Sequence, residues 1–296
     1  MAIQRYFRPW RFILPGVVLG LLTLGYPIYR AIFLSFHSLR MRRMEEETFI
    51  GLENFTRLFS DHLFIRSINA TIWFTLGTTL FAIVLGLLIS SVMSTRGIRG
   101  TRKARFFMAF FLVPFVTTQI VTAIMGRLYI WQSSIGLVNF LLVQVGMEPI
   151  PWLISTDYAL FATTVTNAWR MTPLALLIFY AALATIPDEL VESAEVDGAS
   201  WFAMWFRIKY PMIRFHIGFV TLVILTSAFR EFDTIYGLTG GGPGRVTEVL
   251  SILVYRSGVE QGNLGMANAV SFVMLMIVAF LTLIAVKVLK LGKMED

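Results

Sequence analysis

The sequence predicts an all-α integral membrane protein, with six transmembrane helices and a cytoplasmic helix-turn-helix loop. Hydrophobic residues make up 56% of the 296 residues and charged residues only 15%, and the mean hydropathy is +0.72. Soluble domains contain about 45–50% apolar and about 25% charged residues. Six apolar runs are each long enough to cross a bilayer core, which takes about 20 residues of helix. A polar stretch between the fourth and fifth runs carries helix signals of its own.

The six predicted spans belong to a single transmembrane domain that covers residues 1–296. They lie near residues 12–36, 68–93, 106–130, 159–184, 214–236 and 265–289. The first span contains Pro15 and Pro27, which a membrane helix tolerates when neighbouring helices satisfy the freed backbone groups. A cleaved signal peptide is the competing interpretation, but this run is too long and lacks a cleavage site of small residues.

The distribution of Lys and Arg predicts the orientation of the chain. With the N-terminus inside, the cytoplasmic segments contain twice as many basic residues as the outer segments, which places both termini in the cytoplasm. The outer loop at 37–66 runs against this rule, because Arg40, Arg42 and Arg43 lie in it beside acidic residues. The net charge of +7 therefore reflects topology in a lipid bilayer, and no nucleic-acid partner is expected.

The cytoplasmic loop at 186–211 has the signals of two short helices with a break between them. Pro187 suits a first helical position, and the acidic residues that follow it complement the helix dipole. Gly198 suits the left-handed residue after a helix, and Ser200 is a good N-cap for the second helix. Four aromatic residues give that helix an apolar stripe, and Pro211 is expected to end it. On these signals alone, an amphipathic hairpin at the membrane interface is an alternative.

The spacing within this loop resembles the EAA loop of the membrane subunits of binding-protein-dependent ABC importers. That pattern reads Glu-Ala-Ala, three residues, Gly, nine residues, then Ile-x-Leu-Pro, and every spacing matches here, with Ser193 and Tyr210 as mild departures. The resemblance implies that the first helix docks into a cleft of a separate ATPase subunit and transmits its closure to the membrane helices. The residues implied in docking are Glu192, Ser193, Ala194, Asp197, Gly198, Ile208 and Pro211.

A second match, at the end of the fifth run, points to the carbohydrate-type branch of this family. The stretch from Phe229 to Pro243 resembles the F-x-x-F-D-x-I-Y-x-L-T-x-G-G-P pattern of the maltose-transporter-like first membrane subunit, and Gly51 to Phe55 resembles its G-L-x-N-F. This implies one of two different membrane subunits that carry a sugar or sugar derivative. The implied partners are a second homologous membrane subunit, two copies of an ATPase subunit and an extracytoplasmic solute-binding protein, in the inner membrane of a prokaryote.

Charged side chains inside a membrane are costly, and they usually face a pathway or a partner. Arg170 lies near the middle of the fourth run, on the same side of a helix as Asn167 and two threonines. A pathway residue and an interhelical hydrogen-bonding residue are equally good interpretations of it. In the fifth run, Arg230 and Asp233 are three residues apart and are expected to neutralise each other.

The resemblance places the end of the fifth run at the level where the substrate is held. The candidate pathway residues are Gln119, Thr122, Asn167, Arg170, Phe229, Glu231, Asp233 and Tyr236. Carboxylates there would accept hydrogen bonds from sugar hydroxyls, and aromatic rings would offer stacking faces. A phosphorylated or sulfonated cargo is an alternative, because intramembrane arginines suit anions. An acidic partner for Arg170 would weaken that alternative.

No energy source or catalytic cluster is visible in the sequence. It contains no Gly-x-x-x-x-Gly-Lys-Ser/Thr segment, so ATP and magnesium are expected on the partner ATPase, and no cofactor on this chain. It has no cysteine and its three histidines are far apart, so neither a metal site nor a catalytic triad is expected, which disfavours an enzyme. An ion-coupled secondary transporter is a further alternative, with Glu231 and Asp233 as its candidate coupling carboxylates.

Overall fold

The computed structural model describes residues 8–41, 47–95 and 97–288, and most of these residues are helical. Some sequence predictions lie outside them. These are the sidedness of the two chain ends, the last residue of the sixth predicted span, and Arg42 and Arg43 of the outer loop.

The helices are numbered α1 to α14 in chain order. They are α1 (Arg8–Gly20), α2 (Tyr26–Ser35), α3 (Glu53–Ser60), α4 (His62–Met93), α5 (Arg102–Val116), α6 (Gln119–Met125), α7 (Leu137–Gln144), α8 (Ala159–Ala184), α9 (Asp188–Val196), α10 (Trp201–Met204), α11 (Tyr210–Phe229), α12 (Asp233–Thr239), α13 (Leu250–Tyr255) and α14 (Leu264–Val288). π-helical turns lie between them at Leu21–Gly25, Gly126–Ile130, Trp205–Lys209 and Arg256–Glu260. Two short strands, β1 (His37–Ser38) and β2 (Thr48–Phe49), pair antiparallel, with His37 opposite Phe49.

Within the described residues, 4 helical stretches are each long and apolar enough to cross a membrane. They are Phe12–Ser35, His62–Met93, Trp201–Phe229 and Leu264–Ala285. Two bent helix pairs raise the number to 6 if each pair counts as one span. One pair is Arg102–Val116 with Gln119–Ile130, bent by 102°, and the other is Ala159–Ala184 with Asp188–Val196, bent by 74°.

The third predicted span, 106–130, is not one continuous helix. α5 ends at Val116 and α6 begins at Gln119. Pro114 lies in the last turn of α5, where it lacks an N–H group and its ring crowds the carbonyl four residues earlier. The two threonines after α5 have extended backbone, with ψ of 141° and 145°, so the helix cannot run on.

The fifth predicted span, 214–236, is also broken. α11 ends at Phe229, and α12 begins afresh at Asp233. The carboxylate of Glu231 accepts hydrogen bonds from the backbone N–H of Thr234 at 3.0 Å and from its hydroxyl at 2.8 Å. The first backbone N–H groups of a helix have no partner within that helix. By accepting a hydrogen bond from one of them, Glu231 stabilises the start of α12 and hence the break between α11 and α12.

Pro211 does not end the second helix of the loop at 186–211, and that prediction is wrong. The chain is helical without a gap from Trp201 to Phe229. The backbone N–H of Tyr210 donates to the carbonyl of Trp205, which is five residues earlier, so the turn before the proline is wound as a π-helix. A π-helical turn shifts the hydrogen-bond register by one residue, which accommodates the proline within the helix.

Two compact units divide the chain: residues up to Ile65 with Leu253–Met276, and Arg66–Ile252 with the remaining C-terminal residues. In the second unit, α4 packs closely against α8 through small residues. A Cβ atom added to Gly77 would lie 2.7 Å from Cγ2 of Thr164, and one added to Gly86 would lie 2.6 Å from Cβ of Ala175. Small residues at such contacts let membrane helices approach each other closely.

In the first unit, Asn54 holds the segment between α2 and α3. It is buried, and its Nδ2 donates to the carbonyl oxygens of Ser35 and His37 at 2.9 Å each. The next residue, Phe55, packs edge-on against Phe272, with ring centroids 5.8 Å apart. The buried amide of the G-L-x-N-F stretch therefore links the start of α3 to the chain segment at the end of α2.

Arg30, near the C-terminal end of the first predicted span, pairs with a carboxylate of the loop at 37–66. Its Nη1 lies 2.9 Å from Oε1 of Glu47. This hydrogen bond lowers the pKa of Glu47 below its ordinary value. The arginine is thereby neutralised by a carboxylate that lies outside the apolar run.

Candidate functional site

A buried ion pair joins α8 to the turn before α12. Nη2 of Arg170 lies 2.9 Å from Oε2 of Glu231, and the two side chains are only 5% and 2% exposed. Arg170 also donates from Nη2 to Oδ1 of Asn167 at 3.0 Å, and Glu231 caps α12 with its other carboxylate oxygen. Buried charges are tolerated when they are paired and their remaining hydrogen-bonding capacity is used, as it is here.

Two further polar side chains extend this network towards the surface. The amide of Gln119 is assigned the orientation that satisfies its hydrogen-bonding neighbours. Its nitrogen then donates to Oδ2 of Asp233 at 2.8 Å, and its oxygen accepts from Nη1 of Arg170 at 3.3 Å. Gln119 is the first residue of α6 and Asp233 the first residue of α12. Asp233 is exposed and Gln119 is half-buried. A chain of hydrogen bonds thus runs from the buried ion pair to an accessible carboxylate where two helices begin.

The structure brings together five of the eight predicted pathway residues. They are Gln119, Asn167, Arg170, Glu231 and Asp233. Thr122 lies one turn further along α6, with its hydroxyl 3.2 Å from the Thr118 carbonyl oxygen. Phe229 is buried at the end of α11, and Tyr236 stacks on Phe232 with ring centroids 5.1 Å apart.

The expected neutralisation of Asp233 by Arg230 is wrong. Arg230 is exposed, and its Nε donates to the carbonyl oxygen of Thr226 at 3.2 Å, whereas the carboxylate of Asp233 meets Gln119. The charge that is neutralised is that of Arg170, by Glu231. The acidic partner that weakens the anionic-cargo alternative is therefore present.

The loop at 186–211 forms the second candidate site. Gly198 has φ +73°, which confirms the predicted left-handed residue after α9. The hydroxyl of Ser200 accepts a hydrogen bond from the backbone N–H of Ala203 at 3.3 Å, which confirms the predicted N-cap of α10. The loop exposes most of the predicted docking residues, namely Glu192, Ser193, Asp197, Gly198 and Pro211, and half-buries the others, Ala194 and Ile208.

The loop is held in place by apolar contacts on its inner side. Val191 of α9 and Trp205 of the π-helical turn pack against a buried cluster. That cluster consists of Ala182, Leu183, Ile186 and Ile213. Because one side of α9 is anchored in this way, its acidic outer side is presented to the solvent.

An ion pair that the sequence did not suggest ties α9 to the connection between α4 and α5. Nη1 of Arg99 lies 3.1 Å from Oδ1 of Asp188, the first residue of α9. Both residues line a cavity of about 320 Å³ behind α9. The sequence offered Arg99 only as one of several cytoplasmic basic residues, and its partner is 89 positions away.

Several helices of membrane length and an exposed loop helix that packs on them are features typical of the membrane subunit of a transporter. The chain is 32% identical over 298 residues to the probable ABC transporter permease protein YurN of Bacillus subtilis, with 100% of both chains covered. It is 31% identical over 277 residues to the trehalose/maltose transport system permease protein MalF of Thermococcus litoralis, with 93% of this chain and 91% of that protein covered. The chain therefore belongs to the permease proteins of ABC transport systems.

The fold agrees with this assignment. The backbone matches a chain of a bacterial alginate ABC transporter, solved in complex with an alginate pentasaccharide-bound periplasmic protein. The TM-score is 0.80 at 21% sequence identity, with 96% of this chain and 94% of that chain covered. No protein-family model matches the chain.

Proposed function

We propose that this chain forms half of the translocation pathway of an ATP-driven importer for a sugar or sugar derivative that an extracytoplasmic binding protein delivers. The observation that carries the proposal is the pair formed by Gln119 and Asp233, at the starts of α6 and α12 and 2.8 Å apart. An amide both donates hydrogen bonds to hydroxyl groups and accepts them, and a carboxylate accepts them. The name of the trehalose/maltose relative supports a sugar as the cargo.

Arg170 and Glu231 are positioning residues in this proposal. Their ion pair is buried, and Arg170 also contacts Gln119. Through these two contacts, Arg170 fixes the first turns of α6 and α12 relative to α8. Because Glu231 neutralises Arg170, a neutral sugar is favoured over a phosphorylated or sulfonated one.

The proposed assembly contains a second homologous membrane subunit and two copies of an ATPase subunit, which binds ATP and magnesium. α9 is the proposed docking helix, because it is exposed and acidic on one side and anchored through Val191 on the other. Glu192 and Asp197 would face basic or polar groups of the ATPase. The proposed location is the inner membrane of a prokaryotic cell, with both termini in the cytoplasm.

The docking proposal is tested by purifying the tagged chain from its own membranes in mild detergent and identifying the proteins that stay bound. The wild type is expected to retain an ATPase subunit and a second hydrophobic subunit, and Glu192→Lys to lose the ATPase alone. Glu189→Lys makes the same charge change on the same exposed helix, outside the docking pattern, and should retain the ATPase. A wild-type chain that purifies alone and moves solute without ATP would establish the secondary-transporter alternative.

The cargo proposal is tested with the purified complex in proteoliposomes, supplied with ATP and its binding protein. Radiolabelled maltose and trehalose are the first probes, because the relative bears these names. Asp233→Asn is expected to reduce uptake at limiting sugar about tenfold or more, the effect of losing a hydrogen bond to a charged group. Asp157→Asn, an exposed residue outside the network, should leave uptake unchanged. Equal uptake by both variants would contradict the assignment of Asp233 to the pathway.

A further inference from the structure

An apolar groove of about 420 Å³ lies between α4 and α5, at the end of each helix that borders their connection. Its walls include Leu88, Val92, Ile98, Phe107 and Phe111. Val92 and Phe107 are more than half exposed. The groove thus offers a continuous hydrocarbon surface that is open at the side of the helices.

Positive charge is concentrated at one end of this groove. Lys103 alone carries a charge among the described residues that line it. Lys103 lies in the first turn of α5 between Arg102 and Arg105, and that turn contains no acidic residue. The sequence has no Asp or Glu between Asp61 and Glu148. The start of this 15-residue helix also bears the positive end of the helix dipole. Both the basic side chains and the dipole therefore favour an anion there.

We propose that the groove binds an acyl chain of an anionic phospholipid, whose headgroup phosphate lies against Lys103 at the start of α5. An apolar wall that ends in a basic cluster matches the two parts of such a lipid. A free anion would use only the charged end, and a neutral lipid only the wall. The position agrees with the cytoplasmic leaflet, where the proposed orientation places this end of α5.

The same site bears on the docking helix. Ile98 forms part of the groove wall, and the next residue, Arg99, pairs with Asp188 at the start of α9. A lipid bound against Ile98 therefore also restrains Arg99, which holds the first turn of α9 through its ion pair with Asp188. Bound lipid is expected to favour one arrangement of the docking helix, which makes transport sensitive to lipid composition.

Native mass spectrometry of the full chain, equilibrated with equal amounts of phosphatidylglycerol and phosphatidylcholine, tests the proposal directly. The wild type is expected to retain one lipid, with about a fivefold preference for phosphatidylglycerol, the factor expected from one lysine at an anionic membrane surface. Lys103→Gln should abolish this preference. Arg105→Gln removes the same charge outside the groove wall and should keep it.

A second pair of variants tests the acyl part. Val92→Trp fills the groove and should lose the retained lipid, whereas Val84→Trp, at another exposed position on α4, should keep it. The proposal is overturned if the wild type shows no preference for the anionic lipid, or if Lys103→Gln retains that preference in full. Equal losses in Lys103→Gln and Arg105→Gln would show surface electrostatics without a site, and so would also overturn it.

Discussion

Arg170 owes its position in the membrane to a carboxylate that lies 61 residues away in the chain. Neither charge of this pair is exposed, so each depends on the other. Removing one partner of a buried pair leaves an uncompensated charge and costs about 3–5 kcal/mol, whereas replacing both by apolar residues of similar size is often neutral. Comparing the stability of the single and double variants therefore distinguishes an ion pair that holds helices together from two independent polar side chains.

We therefore predict that Arg170→Met and Glu231→Met each lower the midpoint of thermal unfolding in detergent, and that the double variant recovers most of the loss. Arg230→Met serves as the control, because Arg230 is exposed and its Nε donates to a carbonyl oxygen of the preceding helix, that of Thr226. Unfolding is followed by the loss of monodisperse protein on size-exclusion chromatography after heating. A single variant as stable as the wild type would contradict the role given to the pair.

Gly198 allows a second prediction for a single residue. Among the described residues other than its two chain neighbours, none has a heavy atom within 4 Å of a Cβ placed there, and its φ of +73° is what restricts its replacement. Asn adopts this conformation more readily than β-branched residues do. Gly198→Val is thus expected to weaken co-purification of the ATPase, and Gly198→Asn to preserve it much better. Equal retention in the two variants would show that the left-handed turn does not position the docking helix.

At the scale of helices, the contact between α4 and α8 depends on the absence of side chains. A Cβ at Gly86 would lie 2.6 Å from Cβ of Ala175 and 3.2 Å from its carbonyl carbon, so the helices would have to separate. Overpacking of this kind costs about 1–3 kcal/mol. Gly86→Ala should therefore lower thermal stability. Gly16→Ala should not, since within the described part of the chain nothing beyond its neighbours and its own helix backbone lies within 4 Å of a Cβ at Gly16, and alanine favours the helix. Thermal stability of both variants in the same detergent is the measurement.

The helices also show what the sequence could and could not predict. Two signals that act within a few residues are confirmed, the cap at Ser200 and the left-handed Gly198, because both depend only on their neighbours along the chain. The local signal of Pro211 was wrong, because a π-helical turn carries the proline within the helix. Apolar runs predicted where membrane-length helices lie, because a bilayer requires long apolar segments. The length of an apolar run does not reveal where a helix bends. Pro114 is a local signal for the break before α6.

The candidate site was predictable in composition but not in pairing. Charged and amide groups in apolar runs indicated Gln119, Arg170, Glu231 and Asp233, since such groups are costly in a membrane unless they have partners. Which groups pair depends on how helices that are distant in sequence pack together. The local pairing of Arg230 with Asp233 was therefore wrong, and the contact between Arg99 and Asp188 could not be foreseen.

At the scale of the whole molecule, the proposed orientation can be measured with the natural chain as background, because it contains no cysteine. Glu189→Cys, on the docking helix but outside the docking pattern, and Ser134→Cys, between the third and fourth predicted spans, each introduce one exposed thiol. A membrane-impermeant maleimide applied to intact spheroplasts should modify Ser134→Cys at once. It should modify Glu189→Cys only after permeabilisation. The opposite pattern would invert the topology and remove the docking site from the cytoplasm.

The helix from Trp201 to Phe229 runs for 29 residues without a gap, which corresponds to about 44 Å at about 1.5 Å per residue. One end adjoins the turn that follows the docking helix, and the other leads into the turn that holds Glu231. We expect so long a continuous helix to carry a displacement of the proposed docking helix to the turn that holds Glu231. The proposed ATPase contact and the proposed cargo site would then move together, although they lie at opposite ends of the helix.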